Sequence, residues 1–258
     1  MRAGRLGAGL AGVLAYAACV LALAPATLVD AGLQRASDGR VRLAEARGTL
    51  WSGSGQIEIR GAGGSAGLGN SLSWQFEPRS LLRGTLRFQL DLGAALKRFP
   101  LTISRSRIDI GEAQFVVPAA VLGLAVRRLA LLKPTGDLVV RTSALSLRAG
   151  ALSGNALVQW HAAGSPLSPV SPLGDYELRV ALDAGAFDAE LRTLSGPLQL
   201  EGKAAAGTHA SPIFHATALV DAQHEQQLAP FLRLIAIERG AGRFELQLAQ
   251  ALSDRSVR

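Results

Sequence analysis

Alternation of apolar and polar side chains is the feature that most constrains the fold of this chain. Three segments show it clearly: residues 84–92 (GTLRFQLDL), 174–183 (GDYELRVALD) and 243–250 (RFELQLAQ). A period of two puts every second side chain on the same face of a strand, so each strand has one buried and one solvated face. This pattern is typical of antiparallel sheets.

Weaker strand candidates fill the intervals between these segments, separated by glycine-rich breaks. They cover residues 41–43, 56–60, 72–76, 101–110, 138–147, 156–160, 187–194, 197–203 and 213–220. Helices are predicted over Pro25–Ala36, Pro118–Leu131 and His224–Ile237, the last beginning near Ala229 because Pro230 is unfavourable inside a helix. The predicted fold class is therefore mainly β, an antiparallel curved sheet or sandwich with few short helices.

The strand candidates also indicate an internal duplication. The blocks GTLWSGSG, LSWQFEP and GTLRFQLDLG of the first half have counterparts, in the same order, in GALSGNAL, VQWHAAGSPLSP and GDYELRVALDAG. We interpret these blocks as two related β repeats over residues 41–135 and 136–248, which would share one extended sheet.

An uncharged apolar segment, Leu6–Val29, follows Arg2 and Arg5. About 20 apolar residues suffice for one membrane-spanning helix, and the arginines favour a cytoplasmic N-terminus. A cleaved signal peptide is the alternative, because an A-x-A pattern ends at Ala24. Pro25 after that pattern and the length of the segment favour a retained anchor.

This topology predicts two regions. Residues 1–29 would form a cytoplasmic tail and transmembrane anchor, and residues 30–258 a β-rich domain in the periplasm of a cell with two membranes. Cys19 is the only cysteine and lies within the apolar segment, so the domain has no disulfide. An oxidising compartment permits disulfides without requiring them.

Composition and motifs argue against several classes of function. Lysine and arginine number 27 against 20 acids, but no basic run exceeds two residues and aromatic residues are few, which does not fit a nucleic-acid surface. The four histidines lack metal-ligand spacing, and the G-x-S-x-G pattern at residues 63–67 lies in the glycine-rich break 61–69 rather than between a strand and a helix. Asp183, Asp188 and Glu190 alternate with apolar residues as solvated strand faces do. We therefore predict no enzyme activity, no catalytic, cofactor or metal site, and no small-molecule substrate.

The tryptophans are the remaining candidates for contacts. Trp74 and Trp160 lie in strand candidates, where a single tryptophan usually closes a core. Trp51 lies in the turn-rich segment LWSGSG, whose small neighbours would leave its ring open on one side. Trp51, Ser52 and Gly53 are therefore the predicted partner contact.

These blocks resemble protein N of the type II (general) secretion pathway of Gram-negative bacteria. The resemblance lies in residues 41–59, 72–90, 172–207 and 228–248, and its most specific element is the G-T-L-W-S-G block followed by the W-x-F-x-P strand. It implies a single-pass inner-membrane protein with a periplasmic domain. It also implies an accessory role in moving folded proteins across the outer membrane, with other secretion-machine proteins of the inner-membrane platform or the outer-membrane secretin as partners.

Two other functions remain open at this point. An anchored sheet with an apolar groove, lined by Leu86, Phe88, Leu90, Tyr176, Leu178 and Val180, would suit lipid handling in the envelope. An exported enzyme is the third hypothesis, which the missing catalytic motifs disfavour.

Overall fold

A computed structural model describes residue 16 and residues 19–39, 41–60, 66–125, 130–207, 213–221, 223–233, 236–240 and 242–249. Fifteen strands in this part of the chain form one sheet, and all of their pairings are antiparallel. The strands are β1 Val41–Gly48, β2 Ser52–Arg60, β3 Ala66–Phe76, β4 Leu86–Leu92, β5 Phe99–Ile103, β6 Arg107–Ile110, β7 Ala113–Pro118, β8 Thr135–Arg148, β9 Ala151–Gly164, β10 Gly174–Asp183, β11 Ala186–Ser195, β12 Leu198–Ala206, β13 Ile213–Val220, β14 Ile237–Gly240 and β15 Arg243–Ala249.

The strands follow the chain in almost simple order across the sheet. Strands β6 and β7 pair with different halves of the long strand β8, and β15 lies between β13 and β14. The prediction of a mainly β antiparallel fold with few short helices is confirmed. Of its two alternatives, the structure has the single sheet, since the described strands do not divide into the two sheets of a sandwich.

One predicted strand is in fact two. The candidate 101–110 is interrupted at Ser104, whose amide donates to the carbonyl of Arg107 at 2.9 Å and closes a turn between β5 and β6. Ile103 and Ile108 then pair across the hairpin. The apolar positions change phase here, from 101 and 103 to 108 and 110, and the four polar residues between them are a turn signal that the strand prediction missed.

One face of the sheet is apolar from β3 to β11. Two rows of directly paired residues lie on this face. The first row is Phe76, Phe88, Leu101, Ile110 and Leu145. The second row is Phe115, Val140, Val158, Leu178 and Leu191. The opposite face is largely polar, as the paired residues Gln159, Glu177 and Arg192 illustrate. A bulge in β8, with Ala144 at φ 52°, adds one residue and so keeps Val140 and Leu145 on the same face.

The described helices are short. They are α1 Thr27–Ala36, a 3₁₀ helix Pro78–Arg83, α2 Val121–Ala125 and α3 Glu225–Leu232. The start predicted for α3, near Ala229, is wrong because the helix already begins at Glu225 and contains Pro230. Burial of Leu228, Phe231 and Leu232 against the sheet compensates for the backbone hydrogen bond that proline cannot donate.

Two apolar clusters lie on the apolar face near the two sides of the sheet. The N-terminal cluster consists of Ala26, Leu43 and Trp74, with partly buried residues of α1 and of β2 to β4 around them. The C-terminal cluster consists of Leu132, Leu173, Leu198, Ala218, Leu228, Ala229, Phe231, Leu232 and Phe244. Between the clusters, most apolar side chains of β8 to β11 are only half-buried.

None of the helices in the described part of the chain is long and apolar enough to cross a membrane. Half of the predicted span Leu6–Val29 lies outside the described residues. Its last residues belong to the folded domain, because Ala24 and Ala26 are buried and Pro25 pairs with Thr49. The helix predicted over Pro25–Ala36 exists as α1, and it packs against β1.

The blocks that suggested two repeats occupy different positions in the sheet. In the first half, the glycine-led block begins β2 and the tryptophan block lies in β3; in the second half, β9 contains both. The proposed boundary at residues 135 and 136 falls at the start of β8. The aligned blocks therefore lie at different points of their strands, and the internal duplication stays a prediction.

Candidate functional site

Trp51, the predicted partner contact, lies in the turn between β1 and β2 and contacts the N-terminal segment of its own chain. Its indole Nε1–H donates to the carbonyl of Leu21 at 2.8 Å. Its ring packs on Phe76, with ring centroids 4.9 Å apart. The Thr49 hydroxyl accepts from the amides of Trp51 and Ser52 at 3.3 and 3.1 Å, which fixes the turn. Contact between Trp51 and another protein stays a prediction.

The other two predicted contact residues differ from Trp51 in their surroundings. Ser52 is exposed, whereas Gly53 lies under the indole of Trp74. A Cβ at Gly53 would lie 2.5 Å from Cζ2 of Trp74 and 2.5 Å from the carbonyl oxygen of Arg47. Gly53 is thus needed for packing, and it allows Trp74 to be buried as predicted for a core residue.

The N-terminal segment covers the outer edge of β1, which has a neighbouring strand on one side only. The Leu50 amide donates to the Ala24 carbonyl at 2.7 Å, and the Ala26 amide donates to the Gly48 carbonyl at 3.1 Å. An uncovered strand edge would expose these groups to pairing with other chains. The segment therefore closes this side of the sheet.

Asp30 extends the same edge contact from the first turn of α1. The Leu43 amide donates to Asp30 Oδ1 at 2.8 Å, and Gln34 Nε2 donates to Oδ2 at 2.8 Å. These bonds, Gln34 first and the Leu43 amide second, hold the pKa of the Asp30 carboxyl below its usual value. Sequence analysis missed this residue; the available signal was a single acid in the first turn of a predicted helix, directly after the apolar segment.

The opposite edge of the sheet is less covered. Strand β14 is four residues long and pairs with Arg243, Phe244 and Glu245 of β15. Residues 246–249 of β15 have no strand on that side in the part of the chain that the structure describes. An open strand edge can accept an extended segment of another protein by β-strand addition.

The predicted groove residues do share one face of the sheet. Tyr176 is buried, its hydroxyl donates to the Leu198 carbonyl at 2.9 Å, and burial raises its pKa. Trp160 lies beside it, with ring centroids 6.0 Å apart, and is half-buried rather than a full core residue. The remaining groove candidates, Leu86, Phe88, Leu90, Leu178 and Val180, are all half-buried.

A buried carboxylate, Glu177, lies on the polar face in the middle of the sheet. Its Oε1 accepts from Nη2 of Arg192 at 2.7 Å and of Arg179 at 2.9 Å, and its Oε2 accepts from Gln159 at 3.0 Å. Burial alone would raise the pKa of Glu177, but these donors outweigh it and the pKa is lowered. A carboxylate held ionised by several donors joins neighbouring strands and is a poor general base.

The other acids singled out from the sequence lie on the surface of the sheet. Asp183 and Asp188 are exposed, and Glu190 pairs with Lys203 at 3.2 Å. Within the described residues no three histidine, cysteine or acidic side chains are close enough to hold a metal ion. His209 lies outside those residues.

Residues 39–247 match the family model of protein N of the type II secretion system. This range contains nearly all of the sheet, from β1 into β15. No curated protein and no solved structure matches the chain.

Proposed function

The chain belongs to the protein N family of the type II secretion system and is thus an accessory component of that machinery, and we propose that it acts from the inner membrane through protein contacts in the periplasm. The observation that carries this proposal is the family match, which extends across the sheet rather than over one motif. Other secretion-machine components are the partners that family membership implies.

The start of the folded domain supports a retained anchor. The domain begins at Ala24, which leaves about 18 apolar residues before it, within the range that one spanning helix requires. Cleavage after Ala24 would also remove the carbonyl oxygens of Leu21 and Ala24, which accept hydrogen bonds from Trp51 and Leu50. Signal peptidase cleavage would therefore remove part of the segment that covers the edge of β1.

Alkaline carbonate washing of membranes tests this part of the proposal. We expect the full-length chain to stay in the membrane pellet and to keep its first residues. Recovery of a soluble protein whose N-terminus begins near Pro25 would contradict the anchor.

The open edge at β14 and β15 is the surface that we propose for a partner of the secretion machinery. Ile237, the first residue of β14, is 56 % exposed and lies on this edge. A partner could add an extended segment beside β15, because residues 246–249 have no strand there in the described chain. The covered edge at β1 offers no such place.

Photocrosslinking in secreting cells tests this surface. Benzoylphenylalanine at Ile237 should give a crosslink to another secretion component, and the crosslink should vanish in cells that lack the remaining secretion genes. Gln199, an exposed residue on the polar face of β12, is the matched control. Equal crosslinking from both positions, or none from Ile237, would contradict docking at this edge.

Lipid handling is the second candidate, favoured by the half-buried apolar side chains between the two clusters. An apolar face of this kind can accept acyl chains if nothing else covers it. Mass spectrometry of the purified full-length chain should then detect co-purifying lipid, which Leu178→Glu should remove and Gln199→Glu on the polar face should not. Absence of lipid from the unaltered chain would exclude this function.

A further inference from the structure

Three turns lie together at the end of the sheet where the N-terminal segment joins it. The β1–β2 turn contains Trp51, which is bonded to Leu21. The amide of Phe76, at the end of β3, donates to the carbonyl of Trp51 at 2.7 Å. The β3–β4 loop therefore starts beside the N-terminal segment, and the β5–β6 turn follows because Leu86 pairs with Ile103.

The β3–β4 loop is ordered by its own hydrogen bonds. Ser80 is buried; its hydroxyl donates to the Glu77 carbonyl at 2.6 Å and accepts from the Arg87 amide at 3.1 Å. Gly84 ends the 3₁₀ helix in the left-handed region at φ 67°, where a side chain would be strained. The loop thus has one defined shape, so the direction of its outer side chains is fixed.

Two leucines project from this ordered loop. Leu81 is 55 % exposed and Leu82 is 90 % exposed. Adjacent leucines on a defined loop keep apolar surface in water unless another apolar phase covers them. The N-terminal segment beside them also exposes Val20 and Leu23.

Three exposed arginines lie in this loop and in the next turn. Arg79 and Arg83 of the loop and Arg105 of the next turn are exposed, and none has an ion-pair partner within the described part of the chain. The nearest loop acid, Glu77, accepts from Gln89 at 2.7 Å and lies 3.6 Å from Arg87. This end therefore combines unpaired positive charge with apolar side chains.

We propose that the loop 78–83 binds the surface of an anionic lipid bilayer. Leu81 and Leu82 enter the interfacial region, and Arg79, Arg83 and Arg105 bind phosphate groups of the lipids, the arrangement used by interfacial segments with basic flanks. The inference rests on the proposed anchor, which brings this end of the sheet to the membrane. It adds a second attachment point, so that the strands of β1 to β6 extend away from the bilayer.

Spin-label accessibility in reconstituted full-length protein tests the proposal. In a Cys19→Ser background, a label is attached at Leu82→Cys or, as control, at Leu96→Cys. Leu96 is 61 % exposed and is followed by Lys97 and Arg98, but its loop joins β4 and β5 at the other end of the strands. In vesicles containing phosphatidylglycerol, only the label at position 82 should gain access to oxygen and lose access to a water-soluble nickel chelate, each by roughly two-fold or more.

A charge variant and a second lipid separate the possible outcomes. The triple variant Arg79→Gln, Arg83→Gln, Arg105→Gln, and vesicles of phosphatidylcholine alone, should each return the label at position 82 to the accessibility seen at position 96. Equal accessibility of the two labels in the anionic vesicles would overturn the inference, and so would protection of position 82 that appears only with added secretion proteins. Loss of the chain from the carbonate-washed pellet would instead refute the anchor.

Discussion

The two sides of the sheet are attached to their helices by different interactions. At the C-terminal cluster, α3 buries Leu228, Phe231 and Leu232 against Phe244. At the N-terminal cluster, α1 has no fully buried residue, and its contacts with β1 include hydrogen bonds from strand amides to Asp30 and Ser37. Apolar packing attaches α3 on the C-terminal side of the sheet. Hydrogen bonds from a strand edge contribute much of the attachment of α1 on the N-terminal side.

This difference fits the different positions of the two sides. Apolar packing is non-directional, so it stabilises the C-terminal side without fixing a particular hydrogen-bond geometry. Hydrogen bonds are directional and orient α1, and with it the N-terminal segment, relative to β1. The side next to the N-terminal segment is therefore the oriented one, and the C-terminal side has the larger buried core.

The largest expected effect is at the C-terminal cluster. Phe244 is 0 % exposed, so Phe244→Ala should lower the free energy of unfolding by about 3–5 kcal/mol. Phe88→Ala, which truncates a half-buried ring beside the N-terminal cluster, should cost about 1–2 kcal/mol. The cost is smaller because the Phe88 ring buries less apolar area on folding than the Phe244 ring does. Denaturant titration of the full-length chain in detergent measures both, and equal costs would remove the contrast between the two sides.

A smaller effect is expected where β2 passes under Trp74. Gly53→Ala should destabilise the protein by about 1–3 kcal/mol, because the added Cβ meets the indole and a backbone oxygen. The matched control is Gly32→Ala in α1, where nothing lies within 4 Å of the new Cβ and the helix should gain about 0.5–1 kcal/mol. The same titration compares them; a neutral Gly53→Ala would show that β2 and Trp74 can move apart.

The edge contact of α1 should contribute about 1 kcal/mol, since Asp30→Ala removes the acceptor of the Leu43 amide. The pKa of Asp30 is lowered in the folded protein. The stabilisation of the fold by its carboxylate is therefore present above the unfolded pKa of about 3.9, and it is lost as the pH falls through the folded pKa. The free energy of unfolding, measured from pH 6 to pH 3, should therefore fall less steeply for Asp30→Asn than for the unaltered chain. Identical slopes would show that Asp30 is not ionised in this contact.

The smallest expected change is at the turn that contacts the N-terminal segment. Trp51→Phe keeps a ring against Phe76 and removes the hydrogen bond to Leu21, which should cost about 0.5 kcal/mol. Trp160→Phe, which removes the bond to the Thr135 carbonyl away from the N-terminal segment, is the control. Limited proteolysis near Leu21 should accelerate only in Trp51→Phe; equal rates would mean that Trp51 does not hold the segment.

Local patterns in the sequence predicted the strands well, because alternation is a property of neighbouring residues. Residues 86–92 and 174–183 both form strands whose apolar sides face the same way. The turn at Ser104 and the bulge at Ala144 each shift the alternation by one residue, and they were missed because the segments on both sides were joined into one strand candidate. The secretion family suggested by the sequence blocks is confirmed.

The candidate site was less accessible to sequence analysis because it depends on contacts between distant residues. Trp51 was predicted to contact a partner, which stays a prediction, and its contact with Leu21, 30 residues away in the chain, was not foreseen. Asp30 with Leu43, and Glu177 with Arg192, are likewise fixed by how strands pair. A single sequence does not specify which residues face each other across strands, so these roles emerge only from the structure.

A pair of reporters fused after Arg258 gives the most direct test of the central claim, an anchored sheet outside the cytoplasm. Alkaline phosphatase, which needs the oxidising periplasm, should be active in this fusion, and a fluorescent protein that matures only in the cytoplasm should stay dark. A fluorescent fusion together with an inactive phosphatase fusion would contradict the account.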